Sequence, residues 1–256
     1  MPAGRALWVW APDGSAELLR FAKKESITDL FVQWSTEGDK HSLRGFIRMA
    51  REENIRVYAL DGSPEAALAE NHGRVLKEVD AIAAFNESSQ PEERLAGIHF
   101  DIEPYLLAGF DGRAKSQILS EYVDLQRKVA AEVHLHKAAG LSYGIDLPFW
   151  FDRDVVERVL PFVDTIAIMD YRNHASGEDG IVAHALPILG IAQMSHRKVF
   201  VGVETAPASL PTISFAGWTK RRMEQEVEDV IRELAGEPAF AGIAIHDYAH
   251  YRALQQ

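Results

Sequence analysis

The stretch "GIHFDIEPY", residues 97–105, joins an apolar run to a histidine and two carboxylates. Asp101 and Glu103 lie two residues apart in a segment whose composition otherwise predicts a buried strand. Burying an unpaired carboxylate costs several kcal/mol. We therefore expect the pair to be salt-bridged, to bind a metal ion, or to perform acid–base chemistry.

The spacing of these residues places their side chains on one face of the strand. Because side chains alternate along a strand, His99, Asp101 and Glu103 point the same way. An aspartate one layer below a glutamate can hold the glutamate's proton and raise its pKa by like-charge repulsion, which turns a carboxyl group into a general acid. The alternative is structural: Asp101 bonds groups of a neighbouring strand, and Glu103 pairs with a loop arginine.

Short apolar runs rich in β-branched residues predict the elements that position this pair. Eight such runs begin at Ala6, Ile27, Ile55, Gly97, Tyr143, Asp164, Lys198 and Phe240. Between them, apolar residues spaced by three and four predict helices, and a short helix follows the last run. This alternation predicts an α/β fold, a single (β/α)8 TIM barrel over residues 1–256. A doubly wound sheet is the alternative, but no glycine-rich phosphate motif follows the first strand.

Composition limits the function classes. The 256 residues are 47% hydrophobic, and the formal charge of −11 argues against nucleic-acid and anionic-membrane partners. The chain has no cysteine, which excludes disulfides and thiolate chemistry. No apolar run reaches the roughly 18 residues of a membrane span. We expect a monomer or weak oligomer without a cofactor, either cytoplasmic or exported with its signal removed.

The carboxyl ends of the predicted strands concentrate polar and aromatic side chains, and barrel enzymes keep their active sites at this rim. The candidates there are Trp10, Gln33, Trp34, Asp61, Asp101, Glu103, Tyr105, Asp146, Trp150, Asp170, Tyr171, Glu204, His246 and Asp247. The aromatic rings can stack on the apolar face of a sugar, although each can instead pack under a loop. Asp61 and Asp146 can bind sugar hydroxyls or tune the pKa of Glu103. His246 and Asp247 are consecutive, so only one of them should line the site.

Two short motifs carry a resemblance to a known family. "FDIE" resembles the end of the strand-4 signature D-x-x-D-x-D-x-E of chitinase-like family 18 glycoside hydrolases, and "MDY" resembles that family's strand-6 M-x-Y. The resemblance implies that Glu103 protonates the glycosidic oxygen. It also implies that Asp101 orients a substrate N-acetyl group, and that Tyr171 hydrogen-bonds the carbonyl of that group as it attacks the anomeric carbon. Ala96 and His99 stand where the signature begins with aspartates, and Arg172 stands where the family usually has another aspartate.

Glu204 offers a second route to the same reaction. Glutamates at the ends of strands 4 and 7 resemble the acid/base and the nucleophile of the large retaining glycosidase clan of (β/α)8 barrels. Such carboxyl groups lie about 5–5.5 Å apart. In that version Glu204 attacks while Glu103 protonates the leaving group. The alternative role for Glu204 is to support Arg172 or His246.

Two other classes remain open. The residues His99, Asp101, Glu103, His246 and Asp247 include acceptable metal ligands, which allows a metal-dependent hydrolase. His99 is deeper than a ligand at the mouth would be, which favours a hydrogen-bonded core residue. A carbohydrate-binding barrel without catalysis is the other alternative. The sequence favours a glycoside hydrolase acting on a polysaccharide or oligosaccharide, with Glu103, Asp101, Tyr171, Asp170 and Glu204 as its catalytic residues.

Overall fold

The computed structural model describes residues 3–11, 15–112 and 114–255, and its sheet confirms the predicted barrel. Eight parallel strands pair in sequence order, and β8 returns to β1 to close the sheet. The strands are β1 (Gly4–Val9), β2 (Asp29–Gln33), β3 (Arg56–Asp61), β4 (Gly97–Phe100), β5 (Ser142–Pro148), β6 (Thr165–Met169), β7 (Lys198–Glu204) and β8 (Phe240–His246).

Eight α-helices alternate with the strands and cover the outside of the barrel. They are α1 (Ser15–Lys24), α2 (Lys40–Glu52), α3 (His72–Glu87), α4 (Lys115–Leu135), α5 (Arg153–Val159), α6 (Ile181–Met194), α7 (Lys220–Leu234) and α8 (Tyr248–Ala253). Among the described residues, side-chain caps begin three of them: Asp39 accepts hydrogen bonds from the first turn of α2, Thr219 does so for α7, and Asp247 does so for α8. In the described parts of the chain, no helix combines the length and apolar character that crossing a bilayer requires.

The strands are buried on both faces, which explains their continuous apolar runs. The outward side chains pack under the helices in one large cluster. The inward side chains fill the barrel with a second, smaller cluster: Ala6, Trp8, Phe31, Tyr58, Leu60, Ala167, Phe200 and Ala244. The small members of this set leave room for Trp8, Phe31 and Phe200, so the interior is a packed core rather than a pore.

Two glycines make space for large groups inside the barrel. A Cβ at Gly144 would lie 2.8 Å from Nδ1 of His99, and one at Gly202 would lie 3.2 Å from the Trp8 indole ring. Both distances are shorter than a comfortable van der Waals contact. The positions of His99 and Trp8 in the interior therefore depend on glycine at residue 144 of β5 and at residue 202 of β7.

Strand β4 is shorter than its apolar run suggests. Its ladder ends at Phe100, so Asp101 and Glu103 lie just beyond it, and a 3-10 turn, Pro104–Leu106, follows. Pro104 stands at the first position of this turn, where its missing backbone N–H leaves no donor unsatisfied. The carboxylates therefore project from an irregular segment at the mouth of the barrel.

Candidate active site

Seven side chains from six strand ends form the mouth cluster of the barrel. They are Trp10, Asp101, Glu103, Asp146, Tyr171, Glu204 and His246. Tyr171 lies within electrostatic range of all four carboxylates, and its ring centroid is 6.0 Å from that of His246. Burial, followed by these four carboxylates, raises the pKa of the Tyr171 phenol. The phenol therefore stays protonated and can donate a hydrogen bond.

Asp101 is held in place by a close approach of two backbones. Its N–H donates to the carbonyl of Asp61 at 2.9 Å. Gly62 permits this contact, because a Cβ there would lie 1.9 Å from the carbonyl oxygen of Asp101. One carboxylate oxygen of Asp101, Oδ1, is buried without a hydrogen-bond partner. A buried oxygen in this state favours the protonated form of the acid.

Asp101 and Glu103 are both shifted towards their protonated forms. Burial, followed by the charges of Asp146 and Glu103, raises the pKa of Asp101 well above its usual value. Burial and then Asp146 raise the pKa of Glu103 to about 7, although His246 acts in the opposite direction. The hydroxyl of Tyr105 donates to Oε1 of Glu103. Within the described residues, neither carboxylate forms an ion pair with lysine or arginine; Arg113, in the segment after Glu103, lies outside those residues.

Asp146 is bonded inside the barrel rather than facing the solvent. Its side chain is 1% exposed, and it accepts hydrogen bonds from Nε1 of Trp8 at 3.0 Å and from Nε2 of His99 at 2.8 Å. The imidazole of His99 stacks on Phe31, with ring centroids 3.8 Å apart. His99 is thus a hydrogen-bonded core residue.

Glu204 supports His246. Oε1 of Glu204 accepts from the backbone N–H groups of Thr205 at 2.8 Å and Ala206 at 2.7 Å, and Nδ1 of His246 lies 3.1 Å from both carboxylate oxygens. The other imidazole nitrogen, Nε2, accepts from Nε1 of Trp10 at 3.0 Å. Burial lowers the pKa of His246, but the hydrogen bond and charge of Glu204 outweigh burial, so the net shift is upward.

Asp170 does not join the mouth cluster. It lies between Met169, the end of β6, and Tyr171, and it points to the outer side, where its Oδ1 lies 2.9 Å from Nδ1 of His184 on α6. It is fully buried, and burial raises its pKa to about 8, with Arg172 lowering it and Asp179 raising it. Asp170 therefore forms a separate pair with His184 beneath the helix layer.

Three more candidates also lie outside the mouth cluster. Trp34 packs against Phe85 of α3, its indole N–H donates to Glu78, and the Lys40 ammonium lies 3.7 Å from its ring centroid. Asp61 accepts from the N–H of Gly62, and burial raises its pKa. Asp247 caps α8 by accepting from the N–H of His250. Each of these three residues therefore has a partner in the surrounding fold rather than in the mouth cluster.

The remaining candidates lie on the exposed side of the mouth. Gln33 is exposed at the end of β2. Trp150 is 50% exposed, and its ring centroid is 5.1 Å from that of Tyr105, which in turn contacts Glu103. An exposed indole beside the proton-bearing carboxyl is a suitable platform for a sugar ring.

The metal ligands that the sequence allows do not converge. His99 is bonded to Asp146, His246 to Trp10 and Glu204, and Asp247 to α8. Among the described residues, the group with metal-binding spacing lies elsewhere, at Asp80, Glu132 and His136 on the outer helices. Among the described residues, the mouth presents carboxyl groups, the phenol of Tyr171 and the imidazole of His246.

Trp8 is the residue of this site that the sequence reasoning missed. It lies one layer below Trp10 on the inward face of β1, and it binds the carboxylate of Asp146. The alternation of Ala6, Trp8 and Trp10 along β1 was a usable signal for an inward indole. Its partner could not be read from the sequence, because the two residues are 138 positions apart.

Comparisons with known proteins bear on the fold. No family model matches the chain, and no curated protein matches its sequence. Among solved structures, a chitinase from Bacteroides thetaiotaomicron has a TM-score of 0.65 at 15% identity, covering 96% of this chain and 90% of that one. A glycoside hydrolase family 18 N-acetylglucosaminidase from Paenibacillus barengoltzii has a TM-score of 0.63 at 11% identity, covering 98% and 100%.

Barrels of other chemistry match as well. A D-psicose 3-epimerase from Clostridium cellulolyticum H10 has a TM-score of 0.57 at 8% identity, covering 92% of this chain and 99% of that one. At such identities the likeness concerns the fold alone. The structures thus confirm the remote resemblance to family 18 barrels that "FDIE" and "MDY" indicate.

Proposed function

We propose that this protein is a glycoside hydrolase that cleaves a glycan containing N-acetylated sugars, with Glu103 as the general acid. The observation that carries the proposal is the pair Asp101 and Glu103 at the mouth of the barrel, partly buried and without a lysine or arginine ion pair among the described residues. A carboxyl group with a pKa of about 7 is still substantially protonated at neutral pH, as a proton donor must be.

The contacts of Glu204 favour substrate assistance over a two-glutamate mechanism. Glu204 is 9% exposed and accepts from two backbone N–H groups and from His246. A carboxylate with its lone pairs so engaged is a poor nucleophile. Among the described residues, no hydrogen bond engages the carboxyl group of Asp101 or the phenol of Tyr171, which leaves both available to an acetamido group.

The proposed step transfers the proton of Glu103 and exchanges the glycosidic bond for a bond to the acetamido oxygen. The carbonyl oxygen of the substrate acetamido group bonds to the anomeric carbon, and the bond from that carbon to the glycosidic oxygen breaks. The proton of Glu103 goes to the departing oxygen. Asp101 holds the acetamido N–H, and the phenol of Tyr171 donates to the carbonyl oxygen. Water then opens the resulting oxazolinium ring, with Glu103 accepting its proton.

The test compares two sugar series that differ in the acetamido group. Purified protein is incubated with N-acetylglucosamine oligomers and with glucose oligomers of equal length, and products are separated by chromatography. We expect cleavage of the first series only, and a loss of about 10²–10⁴-fold in kcat/KM for Glu103→Gln. Glu132→Gln, on the outer face of α4, is the matched control and should cleave normally.

Two results would refute the proposal. The first is near wild-type turnover by Glu103→Gln. The second is failure of the wild-type protein to cleave any member of a broad oligosaccharide panel. Equal cleavage of both series would instead show that the acetamido group takes no part in the reaction, and it would favour Glu204 as the nucleophile.

A further inference from the structure

We propose that Arg172 is a positioning residue, which holds the backbone of Tyr171 so that its phenol stays at the mouth of the barrel. Arg172 acts within a set of contacting side chains that we call the β6 clamp: Phe149, Asp170, Arg172, Asp179 and His184. This role rests on the proposed function, in which the Tyr171 phenol donates to the acetamido carbonyl.

Tyr171 lies beyond the end of β6, so the strand ladder does not fix its position. The ladder ends at Met169. The N–H of Asp170 still donates to the carbonyl of Gly202 on β7 at 3.0 Å. The N–H of Arg172 then donates back to the carbonyl of Asp170 at 2.8 Å, which closes a tight turn around Tyr171. The direction of the phenol therefore depends on what holds residues 170 and 172.

The guanidinium of Arg172 joins Tyr171 to the far side of its loop. Nη1 of Arg172 donates to the carbonyl oxygen of Tyr171 at 2.8 Å, and Nη2 lies 2.9 Å from Oδ1 of Asp179. The guanidinium also lies over Phe149, with Cζ 5.1 Å from the ring centroid. Arginine is suited to these simultaneous contacts, because its planar group carries several N–H donors and stacks on aromatic rings.

His184 closes the clamp from α6. Its imidazole stacks on Phe149, with centroids 4.2 Å apart and 16° between the ring planes. Its Nδ1 lies 2.9 Å from Oδ1 of Asp170, and its Nε2 lies 3.3 Å from Oδ1 of Asp179. In either neutral tautomer one of these nitrogens carries a proton, so the ring can donate to at least one of the two aspartates. The residues on both sides of Tyr171 are thus connected through one set of contacts.

Asn173 anchors the chain that follows the turn. Its Nδ2 donates to the carbonyls of Pro211 at 2.6 Å and Ser214 at 2.8 Å, and its N–H donates to the carbonyl of Thr212 at 3.0 Å. These acceptors lie between β7 and α7. Loss of the Arg172 guanidinium would therefore leave the loop attached and release the turn that carries Tyr171.

The clamp gives a role to a departure from the family pattern. Arg172 stands where family 18 barrels usually have an aspartate. An aspartate side chain has no donor for the Tyr171 carbonyl when ionised, and it would place a second negative charge near Asp179. This chain uses the position to hold the phenol, whose placement matters because a shift of about 1 Å in a reacting group can cost about 10²-fold in rate.

The first experiment removes the guanidinium and keeps an unbranched apolar side chain. Arg172→Met can still pack against Phe149, but it loses its bond to the Tyr171 carbonyl and its ion pair. With N-acetylglucosamine oligomers we expect kcat to fall by about tenfold or more and KM to change by less than about twofold, because Tyr171 acts in the transition state. An unchanged kcat in an active protein overturns the inference.

Arg197→Met is the matched control. Arg197 precedes β7 at the opposite end of the barrel, where it pairs with Asp164 at 3.5 Å and donates to the carbonyl of Pro161 at 3.2 Å. It therefore makes the same two kinds of contact as Arg172, away from the mouth. Its loss should leave kcat unchanged even if stability falls.

A substrate-free measurement separates this inference from the proposed function. The ring centroids of Tyr171 and His246 lie 6.0 Å apart, so a nuclear Overhauser effect between their ring protons reports the position of the phenol. We expect this signal, assigned through its loss in Tyr171→Phe, in the wild type and in Arg197→Met. It should be weakened or lost in Arg172→Met. That result supports the clamp even if the wild type cleaves no sugar.

A signal of wild-type intensity in folded Arg172→Met overturns the inference, whatever the activity, and so does its absence from the wild type. If Arg172→Met does not fold, Asp179→Ala decides. The Asp179 side chain is 63% exposed, so its loss should be tolerated, but the Arg172 guanidinium then lacks its anion. The signal between the two rings should weaken in this variant, and an unchanged signal overturns the inference.

Discussion

Two buried groups of charges in this barrel are built in opposite ways. Against the outer side of β1, the guanidinium of Arg5 lies 2.6 Å from Glu224, and the ammonium of Lys220 lies 2.6 Å from Glu25. Tyr251 links this outer cluster through hydrogen bonds to Arg5 and Glu224. At the mouth, Asp101, Glu103 and Asp146 are buried together with no lysine or arginine bound to them in the described structure.

The difference shows what each group contributes. In the outer cluster, opposite charges offset the cost of burial, and the ion pairs join β1 to α7 and α1. At the mouth, burial disfavours the ionised carboxylates. The pKa values of Asp101 and Glu103 are therefore raised, and their protonated forms are favoured. Perturbed carboxyl groups concentrated at the end of a barrel where active sites form are typical of catalytic machinery.

Breaking the outer cluster should produce the largest change in stability. Arg5→Met keeps an unbranched side chain but removes the guanidinium that pairs with the mostly buried Glu224. We expect the free energy of unfolding to fall by about 3 kcal/mol, as for other broken buried pairs. Urea denaturation followed by circular dichroism measures the change.

The matched control for Arg5→Met is an exposed ion pair. Arg153 on α5 pairs with Glu157 one turn away, and both side chains are largely exposed. Arg153→Met should therefore cost less than about 0.5 kcal/mol. Equal effects of the two substitutions would contradict the contrast between buried and exposed pairs.

Replacing Glu103 at the mouth should raise the free energy of unfolding at neutral pH, whereas Arg5→Met should lower it. The pKa of Glu103 is raised from 4.5 to about 7, so folding favours its protonated form. The stability that this preference supplies is complete below about pH 4.5 and is lost as the pH rises to about 7. Glu103→Gln should therefore gain relative to the wild type by about 2–3 kcal/mol between pH 4 and pH 8.

The measurement for Glu103→Gln is a pair of urea denaturation curves at pH 4 and pH 8. The variant and the wild type should differ least at the acidic pH, where the wild-type carboxyl group is also neutral. A constant difference at both values would show that Glu103 titrates normally, and it would remove the electrostatic basis of the proposed general acid.

The sequence was sufficient for the architecture and for placing Asp101 and Glu103 together just beyond β4. Eight apolar runs separated by helical patterns predict the barrel, and alternation places His99, Asp101 and Glu103 on one face, because both signals are local. The direction in which a side chain points at the end of a strand, by contrast, cannot be read from the nearby sequence. Asp170 and Trp34 end strands as Glu204 does, yet they point outward under α6 and against α3.

Contacts between distant strands account for the rest. The hydrogen bonds of Asp146 join β5 to β1 and to β4, across 138 and 47 positions of sequence. The choice between Glu204 as nucleophile and Glu204 as partner of His246 depended on the register of β7 and β8, which sets these two residues side by side. Such pairings follow from the closed sheet and have no signature in a single segment.

A third group of charges lies on the surface and shows what ion pairs contribute to stability without burial. His136 near the end of α4 lies 3.0 Å from Asp80, 3.6 Å from Glu87 and 3.8 Å from Glu132. The hydrogen bond to Asp80 raises the pKa of His136, so its contribution to stability is present below about pH 6.5 and is lost as the pH rises through the folded-state value. Because solvent screens these groups, His136→Gln should cost less than about 1 kcal/mol at pH 5 and close to nothing at pH 9. His134→Gln, two residues earlier and exposed on the same helix, is the matched control. Thermal melting of both variants at the two pH values checks this. A loss at pH 5 as large as that of Arg5→Met would mean that burial is not what separates the outer cluster and the mouth from the surface.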